Sequence, residues 1–519
     1  MNQKPNFIVI HTDQHRYDCV GVTGRRKGIY TPYIDSIAYQ GANFTSCYTT
    51  CPLCIPQRLS LLTGQTPEHH GLFSNMGIPY LPLEHTLPSE MRHGGYQTAL
   101  VGRTMHTYPA DYSYGFEYYL PGDPSSEKKD TTDAFFQYLR DNSPKDSGGY
   151  YGCGPHNNSR AAGPYHLPDH LHQTKWATNR AIDFIDHRDE SRPFLLFVGY
   201  YAPHSPHNPP AEYFNRYYQR NDLDEPYIAD WDVAPVNSGN VMSRYINLKG
   251  EELRVARAGY YGNIAFIDSQ VGRILERAMR TGNTYVIFTS DHGELLGDHY
   301  LSQKNRPYEG AVHIPFMIMG PGISDSLTID KPIGWHDIMP TILELAGLPI
   351  PDDVDGKSMV SLLFGSEDRS WRPYIHGECT HEFMFTPKTR PISNQINLFY
   401  EKGSHFLTDG IMKYIWYDTS GTEQLFHIQT DYQEMHNLSK DPAHQEELVS
   451  WRRRLIQELA DRPEGFSDGT KLIAGKEPVR ASEAMMALGK QRISEGFPLA
   501  FGKKKKPEEN MNFTDKLIY

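Results

Sequence analysis

The 519-residue chain has no apolar run of the roughly 18 residues that a membrane-spanning helix needs, so no such span is expected. Cysteine is scarce: six residues, at 19, 47, 51, 54, 153 and 379, are too few for a disulfide scaffold. Positive charge is in deficit, with 51 Lys and Arg against 63 Asp and Glu and a net charge of −12 at pH 7. That balance gives no support to a nucleic-acid partner. The basic run Lys503–Lys506 lies in a polar C-terminal tail and reads as solvated. The N-terminus, MNQKPNFIVIHTD, enters a strand-like segment without the apolar stretch of a signal peptide, so the cytoplasm is the expected location. Internal repeats and low-complexity segments are also missing.

What is present is a series of short apolar runs, each ending in reactive side chains. Phe7-Ile8-Val9-Ile10 leads to His11 and Asp13, and Ala99-Leu100-Val101-Gly102 leads to Arg103 and His106. Phe194 to Val198 leads to Pro203-His204, and Tyr285 to Phe288 leads to Asp291-His292. Continuous runs of this length suit strands buried on both faces of a parallel sheet. Ligands of open α/β sheets bind beyond the carboxyl ends of such strands, so these polar groups should gather along one edge. Helical stripes lie between the runs, for example Trp176, Ile182 and Ile185, or Ile267, Val271, Ile274 and Leu275. The expected fold is therefore α/β, a large, mixed, mostly parallel sheet flanked by helices, over residues 1–365. From 366 to 480 the pattern changes to antiparallel strands (Phe406–Leu407, Met412–Tyr417, Gln424–Ile428) and a helix carrying Leu448, Trp451, Leu455 and Leu459. This predicts a smaller α+β subdomain. Residues 481–519 are expected to form an extended arm that could pack on a second copy of the chain.

The stretch Cys51 to Gly64, CPLCIPQRLSLLTG, carries the most specific pattern. Two cysteines two residues apart suggest a redox pair or a zinc knuckle. A knuckle needs a second pair of ligands, and no second Cys-x-x-Cys occurs. A redox pair has no use for the Arg, Ser and Thr-Gly that follow. Pro56 suits the first turn of a helix and Gly64 its end. Residue 54 would then stand at a helix N-terminus, where the dipole and free N–H groups favour an anion, with Arg58 one turn on.

Read as one unit, Cys54-x-Pro56-x-Arg58 with Thr63-Gly64 resembles the signature of the sulfatase family, whose fold is alkaline-phosphatase-like. The resemblance extends along nearly the whole chain: Asp13-Gln14 matches the first metal pair, Pro203-His204-Ser205-Pro206 a conserved-type loop, Asp291-His292-Gly293 the second metal pair, and Lys304 follows at the expected distance. It implies that Cys54 is oxidised by a formylglycine-generating maturation enzyme to formylglycine, an aldehyde whose hydrate attacks the ester. It implies a divalent metal held by Asp13, Gln14, Asp291, His292 and modified residue 54. Mostly oxygen ligands favour Ca²⁺, with Mn²⁺ or Mg²⁺ as alternatives. It further implies catalytic roles for Arg58 and Lys304 as charge stabilisers, His204 as acid and His106 as base, with Asn75, Arg103 and Thr104 facing substrate. Cys51 would be a bystander. His11, His69, His70, His207, His299 and His313 lack a matching position and are left as structural or near substrate.

Two departures bear on substrate. Gln14 stands where the family usually has a second Asp. Gly102-Arg103-Thr104 stands where sulfatases generally carry Gly-Lys. With Arg103 in the Lys position the site keeps a fixed cation for sulfate; with Thr104 there it looks like the phosphonate monoester hydrolases and phosphodiesterases of the same family. The leading expectation is a sulfuric ester hydrolase acting on a small-molecule sulfate monoester. The near alternative is a phosphonate monoester hydrolase or phosphodiesterase; the distant ones are a non-catalytic metal- or anion-binding protein and a thiol redox protein.

Overall fold

The computed structural model describes residues 4–75, 85–106, 113–124, 133–152, 158–235, 241–365, 370–381 and 401–494. Parts of 107–170, Cys153 and the end of the expected C-terminal arm lie outside these residues.

The strands in chain order are β1 Asn6–Asp13, β2 Gly41–Phe44, β3 Cys47–Tyr48, β4 Gln97–Gly102, β5 Tyr118–Pro121, β6 Phe194–Pro203, β7 Thr284–Ser290, β8 Phe316–Met319, β9 Leu327–Ile329 and β10 Ile333–Gly334. In the C-terminal part follow β11 Ile375–Thr380, β12 Gly403–Thr408, β13 Lys413–Tyr417 and β14 Glu423–Phe426. Eight of them form the main sheet in the order β5-β4-β6-β1-β7-β8-β2-β9. The centre is parallel: β1 pairs with β6 and β7, and β4 with β5 and β6. Only β8 runs against its neighbours β7 and β2.

The apolar runs are continuous because both faces are covered. Ile8, Ile10, Val101, Val198 and Phe288 pack on one face under Ile34, Trp176, Ile185, Ile267 and Ile274. Phe7, Val9, Leu100, Phe197 and Ile287 point to the other face, against Leu61, Leu62, Met91, Ile338 and Ile342. The alternation follows from the two-residue period of a strand. Helices Gln173–His187 and Gly250–Thr281 carry the predicted stripes on the first face, with Ile182 only half-buried.

The second sheet is antiparallel, in the order β11-β12-β13-β14. One of its faces receives Leu448, Trp451, Leu455 and Leu459 from helix Gln445–Glu458. The other packs Phe406, Ile415 and Phe426 against Tyr48, Tyr308 and Val312 of the first part of the chain. Strand β11 has little alternating pattern in its sequence, IHGECT, and the sequence reading missed it. The segment expected as an extended arm begins differently: Ala481 bridges to Leu72, and helix Glu483–Ser494 follows. Met485 there is buried with Leu59, Leu72 and Tyr114 of the same chain.

Candidate active site

The carboxyl ends of β4, β6, β1 and β7 lie side by side, so the reactive residues that follow each strand converge. A register shift between Thr12 and Asp13 sets Asp13 opposite Pro203, next to His204. Gly102, at a φ of 94°, turns the chain out of β4 and releases Arg103 toward Asp13. Ser290 ends β7, and Asp291-His292 follow at once.

The residue brought to meet them is Cys54. Helix Cys54–Thr63 starts there and ends at Gly64, whose φ of 68° allows its N–H to bond Ser60 O at 2.9 Å. Side-chain bonds tie its first turn to neighbouring segments. Asn75 Oδ1 accepts from the Ile55 N–H at 3.0 Å, and Gln57 Oε1 accepts from the Thr50 N–H at 3.2 Å. The two cysteines part company at this turn. Cys51 Sγ faces Phe73 O at 3.8 Å in an apolar group with Leu53 and Cys379. Cys54 Sγ faces His292 Nε2 at 3.2 Å and Lys304 Nζ at 3.1 Å. Its sulfur marks the place where the oxygens of the oxidised residue would stand. Burial first, then Asp13, pushes the Cys54 thiol up to about 11. A redox or nucleophilic cysteine needs the opposite shift, so the thiol redox reading finds no support.

Asp13, Cys54, Asp291 and His292 offer ligand atoms that all lie within 4.8 Å of one another, and all four side chains are buried. The donor set fits a divalent cation on two further counts. His292 Nδ1 donates to Gly293 O at 3.1 Å, which leaves the Nε2 lone pair facing the cluster. Burial and Lys304 outweigh the two carboxylates and hold this imidazole down at about 4, so it is neutral at pH 7. Second, the cations Arg58, Arg103 and Lys304 are outnumbered by the buried carboxylates Asp13, Asp123, Asp291 and Glu294, and a divalent ion would reverse that balance. Gln14 adds an amide oxygen to the same centre: its Oε1 accepts from Lys304 Nζ at 3.1 Å.

The cations are fixed by the carboxylates they face. Arg58 donates through Nη2 to Asp291 at 2.8 Å and Asp13 at 3.2 Å, and through Nη1 to the Thr104 carbonyl at 2.7 Å. Arg103 donates to Asp13 Oδ2 from Nε at 2.9 Å and sits within 2.8 Å through Nη2. Its Nη1 pairs with Asp123, and the guanidinium lies over Tyr201, 4.8 Å from the ring centroid. Although burial disfavours its charged form, Asp13 is held well below the usual carboxylate range by Arg103, His204, Lys304 and Arg58. His204 donates through Nδ1 to Ser205 O at 2.7 Å; burial and Lys304 lower its proton affinity. His106, in the left-handed region at a φ of 56°, has Nδ1 at 3.5 Å from Asp123 and a buried Nε2 with no hydrogen-bond partner among the described residues.

Arg103 and Thr104 make different contacts. Arg103 reaches Asp13, whereas Thr104 contributes its carbonyl to Arg58 and its hydroxyl to the His106 N–H at 3.4 Å. Asn75, expected to face substrate, spends Oδ1 on capping the helix of residue 54. Asp123, Glu294 and Gln57 were missed as site residues. Glu294 directly follows Asp291-His292-Gly293, and Gln57 lies between Pro56 and Arg58, but neither carries ligand spacing; Asp123 has no local signal. Of the unassigned histidines, His70 bonds Ser60, His69 bonds Asp355, and His313 stacks on Tyr17. His11 is buried, and neither of its ring nitrogens has a hydrogen-bond partner among the described residues.

The sulfatase family profile matches residues 5–348, and that of the C-terminal part of N-sulphoglucosamine sulphohydrolase matches 297–461. An arylsulfatase of Clostridium perfringens is 36% identical over 91% of this chain and 98% of its own. A multifunctional alkaline phosphatase superfamily protein, PehA of Trinickia caryophylli, is 28% identical over 89% of this chain and 99% of its own. Among solved structures, a phosphonate monoester hydrolase of Agrobacterium radiobacter shares the fold with a TM-score of 0.72 at 23% identity, over 88% of this chain and 96% of that one. With a buried acid–histidine cluster around the signature cysteine and these matches over most of its length, the chain belongs to the sulfatase family of metal-dependent hydrolases.

Proposed function

We propose that this enzyme hydrolyses sulfate monoesters of small alcohols or phenols. The observation that carries the reading is Arg103. Its guanidinium, not the Thr104 hydroxyl, faces Asp13, so Arg58, Arg103 and Lys304 surround residue 54 with three fixed cations. A transferring sulfuryl group spreads negative charge over its oxygens, and prearranged cations stabilise that charge without reorganising. The 36% identical relative named an arylsulfatase supports the phenolic end of this substrate range.

In this scheme Asp13, Gln14, Asp291 and His292 would hold the metal beside residue 54. The metal would supply Lewis acidity, and the matured residue 54 the attacking oxygen. Lys304 Nζ and the Arg103 guanidinium bind the ester's non-bridging oxygens, and Arg58 keeps the two aspartates oriented. His204, whose Nδ1 is committed to Ser205 O, gives a proton to the leaving oxygen from Nε2. The bound anionic ester favours the imidazolium that this step needs. His106 accepts a proton at its bare Nε2, while Asp123 holds Nδ1. Conversion of Cys54 is assigned to a separate formylglycine-generating enzyme.

Rates on an aryl sulfate, an aryl phosphonate monoester and an aryl phosphodiester, with Cys54→Ala as the blank, test the reading. Sulfate should be turned over fastest. Dominant turnover of either phosphorus ester would place the enzyme with the phosphonate and phosphodiester hydrolases instead.

A further inference from the structure

Gln14 is a neutral amide next to Asp13 in the acid–histidine cluster, and its surroundings are unusual. Its backbone sits in the left-handed region, at a φ of 76°. Two bonds hold it there: its N–H donates to Asp291 Oδ1 at 3.1 Å, and its carbonyl accepts from the Tyr260 hydroxyl at 2.6 Å. The side chain is as strictly held. Nε2 donates to Glu294 Oε2, and Oε1 accepts from Lys304 Nζ at 3.1 Å. A carboxylate can only accept and an ammonium can only donate, so these two partners settle which end of the amide faces the site. The oxygen points to Lys304 and Cys54; the nitrogen points away.

Glu294 is 2% exposed. Its Oε1 accepts from the Leu296 N–H at 2.8 Å and from the Gln303 N–H, and its Oε2 is left for Gln14. Every one of these donors is neutral, and among the described residues no guanidinium or ammonium pairs with this carboxylate. Arg160 and His207 line the same small cavity, and each feels the pull of this carboxylate. A buried negative charge is therefore placed one hydrogen bond behind a neutral ligand. In a medium of low polarity such a bond polarises the amide and concentrates negative charge on its oxygen. Groups that orient a ligand from behind in this way also raise its basicity.

We propose that Glu294 is a positioning residue for the metal centre: acting through Gln14, it fixes the amide oxygen toward the cation and gives that neutral ligand part of the character of a carboxylate. The proposal rests on the metal assignment above. It does not depend on whether sulfate or a phosphorus ester is cleaved.

The test is calorimetric titration of Ca²⁺ into the chelator-stripped full-length protein. Glu294→Gln keeps an oxygen for the Leu296 and Gln303 N–H groups and removes the charge. It should bind Ca²⁺ about 10- to 100-fold more weakly than the parent. In a Gln14→Ala background the same substitution should change affinity less than twofold, because the connecting amide is gone. A Glu294→Gln protein that folds and binds Ca²⁺ within twofold of the parent would overturn the proposal. If Glu294→Gln does not fold, the exchange Gln14→Glu with Glu294→Gln restores the bond with the charge on residue 14. That pair should bind at least as tightly as the parent, and tenfold weaker binding would overturn the idea. A parent protein that binds no Ca²⁺ would instead overturn the metal assignment itself.

Discussion

Arg103→Lys separates charge from geometry at the residue that decides the substrate reading. Arg103 is 2% exposed and reaches two carboxylates at once, Asp13 through Nε and Nη2 and Asp123 through Nη1, with Tyr201 beneath the guanidinium plane. A lysine keeps the positive charge but presents a single ammonium, which cannot reproduce the fork or the stacking. Asp13 retains Arg58 at 3.2 Å and Lys304 at 4.0 Å, so the metal cluster should survive. Asp123 retains His106 at 3.5 Å, a neutral partner at pH 7, because burial, Arg103 and Arg58 hold that imidazole well below its ordinary value. Losing one partner of a buried ion pair costs about 3–5 kcal/mol when nothing replaces it. The retained charge should hold the loss of stability to the lower end of that range, within the total stability of about 5–15 kcal/mol typical of a domain. Activity should suffer more. Removing one donor aimed at the charge developing on a transferring group costs about 10²–10³ in kcat. The assay is kcat and KM on an aryl sulfate, alongside melting temperature, for Arg103→Lys and Arg103→Thr. The first should fall at least tenfold and the second by about 10²–10³, while the ratio of phosphonate to sulfate turnover rises in Arg103→Thr. Arg103→Lys protein that melts normally and hydrolyses the sulfate at the parental rate would refute the role given to the guanidinium.

Other outcomes follow from the same geometry. Cys51→Ala should retain sulfatase activity and the aldehyde detectable by hydrazide labelling, whereas Cys54→Ala should lose both; equal loss from either change would revive a paired-thiol role. Chelation should abolish hydrolysis and lower the melting temperature, and Ca²⁺ should restore both, because the buried carboxylates of this centre outnumber its fixed cations and a bound divalent ion would stabilise the folded state. Asp268 gives a pH-dependent stability effect far from the site. Its Oδ1 accepts the Tyr33 and Ile34 N–H groups at 3.0 and 2.8 Å, and burial raises its pKa to about 7, against the pull of those bonds and of Arg216, with Asp35 adding to the rise. A carboxyl whose folded value lies above its unfolded value holds its proton more tightly when folded, so stability falls as pH rises from about 4 to about 7. Asp268→Asn keeps the acceptor and cannot ionise. Its stability advantage in urea titrations should grow from about 2 kcal/mol at pH 5 to about 4 kcal/mol at pH 8. An advantage that does not change with pH would contradict the buried ionisation.

The sequence exposed those parts of the site in which a local pattern and a global position agree. Apolar runs buried on both faces have to be central parallel strands, and their carboxyl ends have to share an edge, so Asp13, Arg103, His204 and Asp291 could be brought together before any coordinate was known. Helix Cys54–Thr63 was legible for a similar reason, since a proline near its start and a glycine at its end mark its limits. What stayed hidden depends on contacts between distant segments. Strand β11 lacks a period because its residues pack against two separate parts of the chain: Glu378 bonds Thr50 and Cys379 sits with Cys51, while Thr380 bonds Phe73. Asp123 is a lone carboxylate until β5 carries it to Arg103 and His106. Asn75 also acts across a distance: the Ile55 N–H at the start of the helix, 20 residues earlier in the chain, bonds its oxygen. The same logic explains Gln14 and Glu294. Viewed as isolated letters, a Gln beside Asp13 reads as a charge removed from the metal site. Placed in space, that Gln is hydrogen-bonded to a buried carboxylate 280 residues further along, so the charge stands one bond behind the ligand. A function assigned from ligand identity alone would therefore misjudge the electrostatics of this centre.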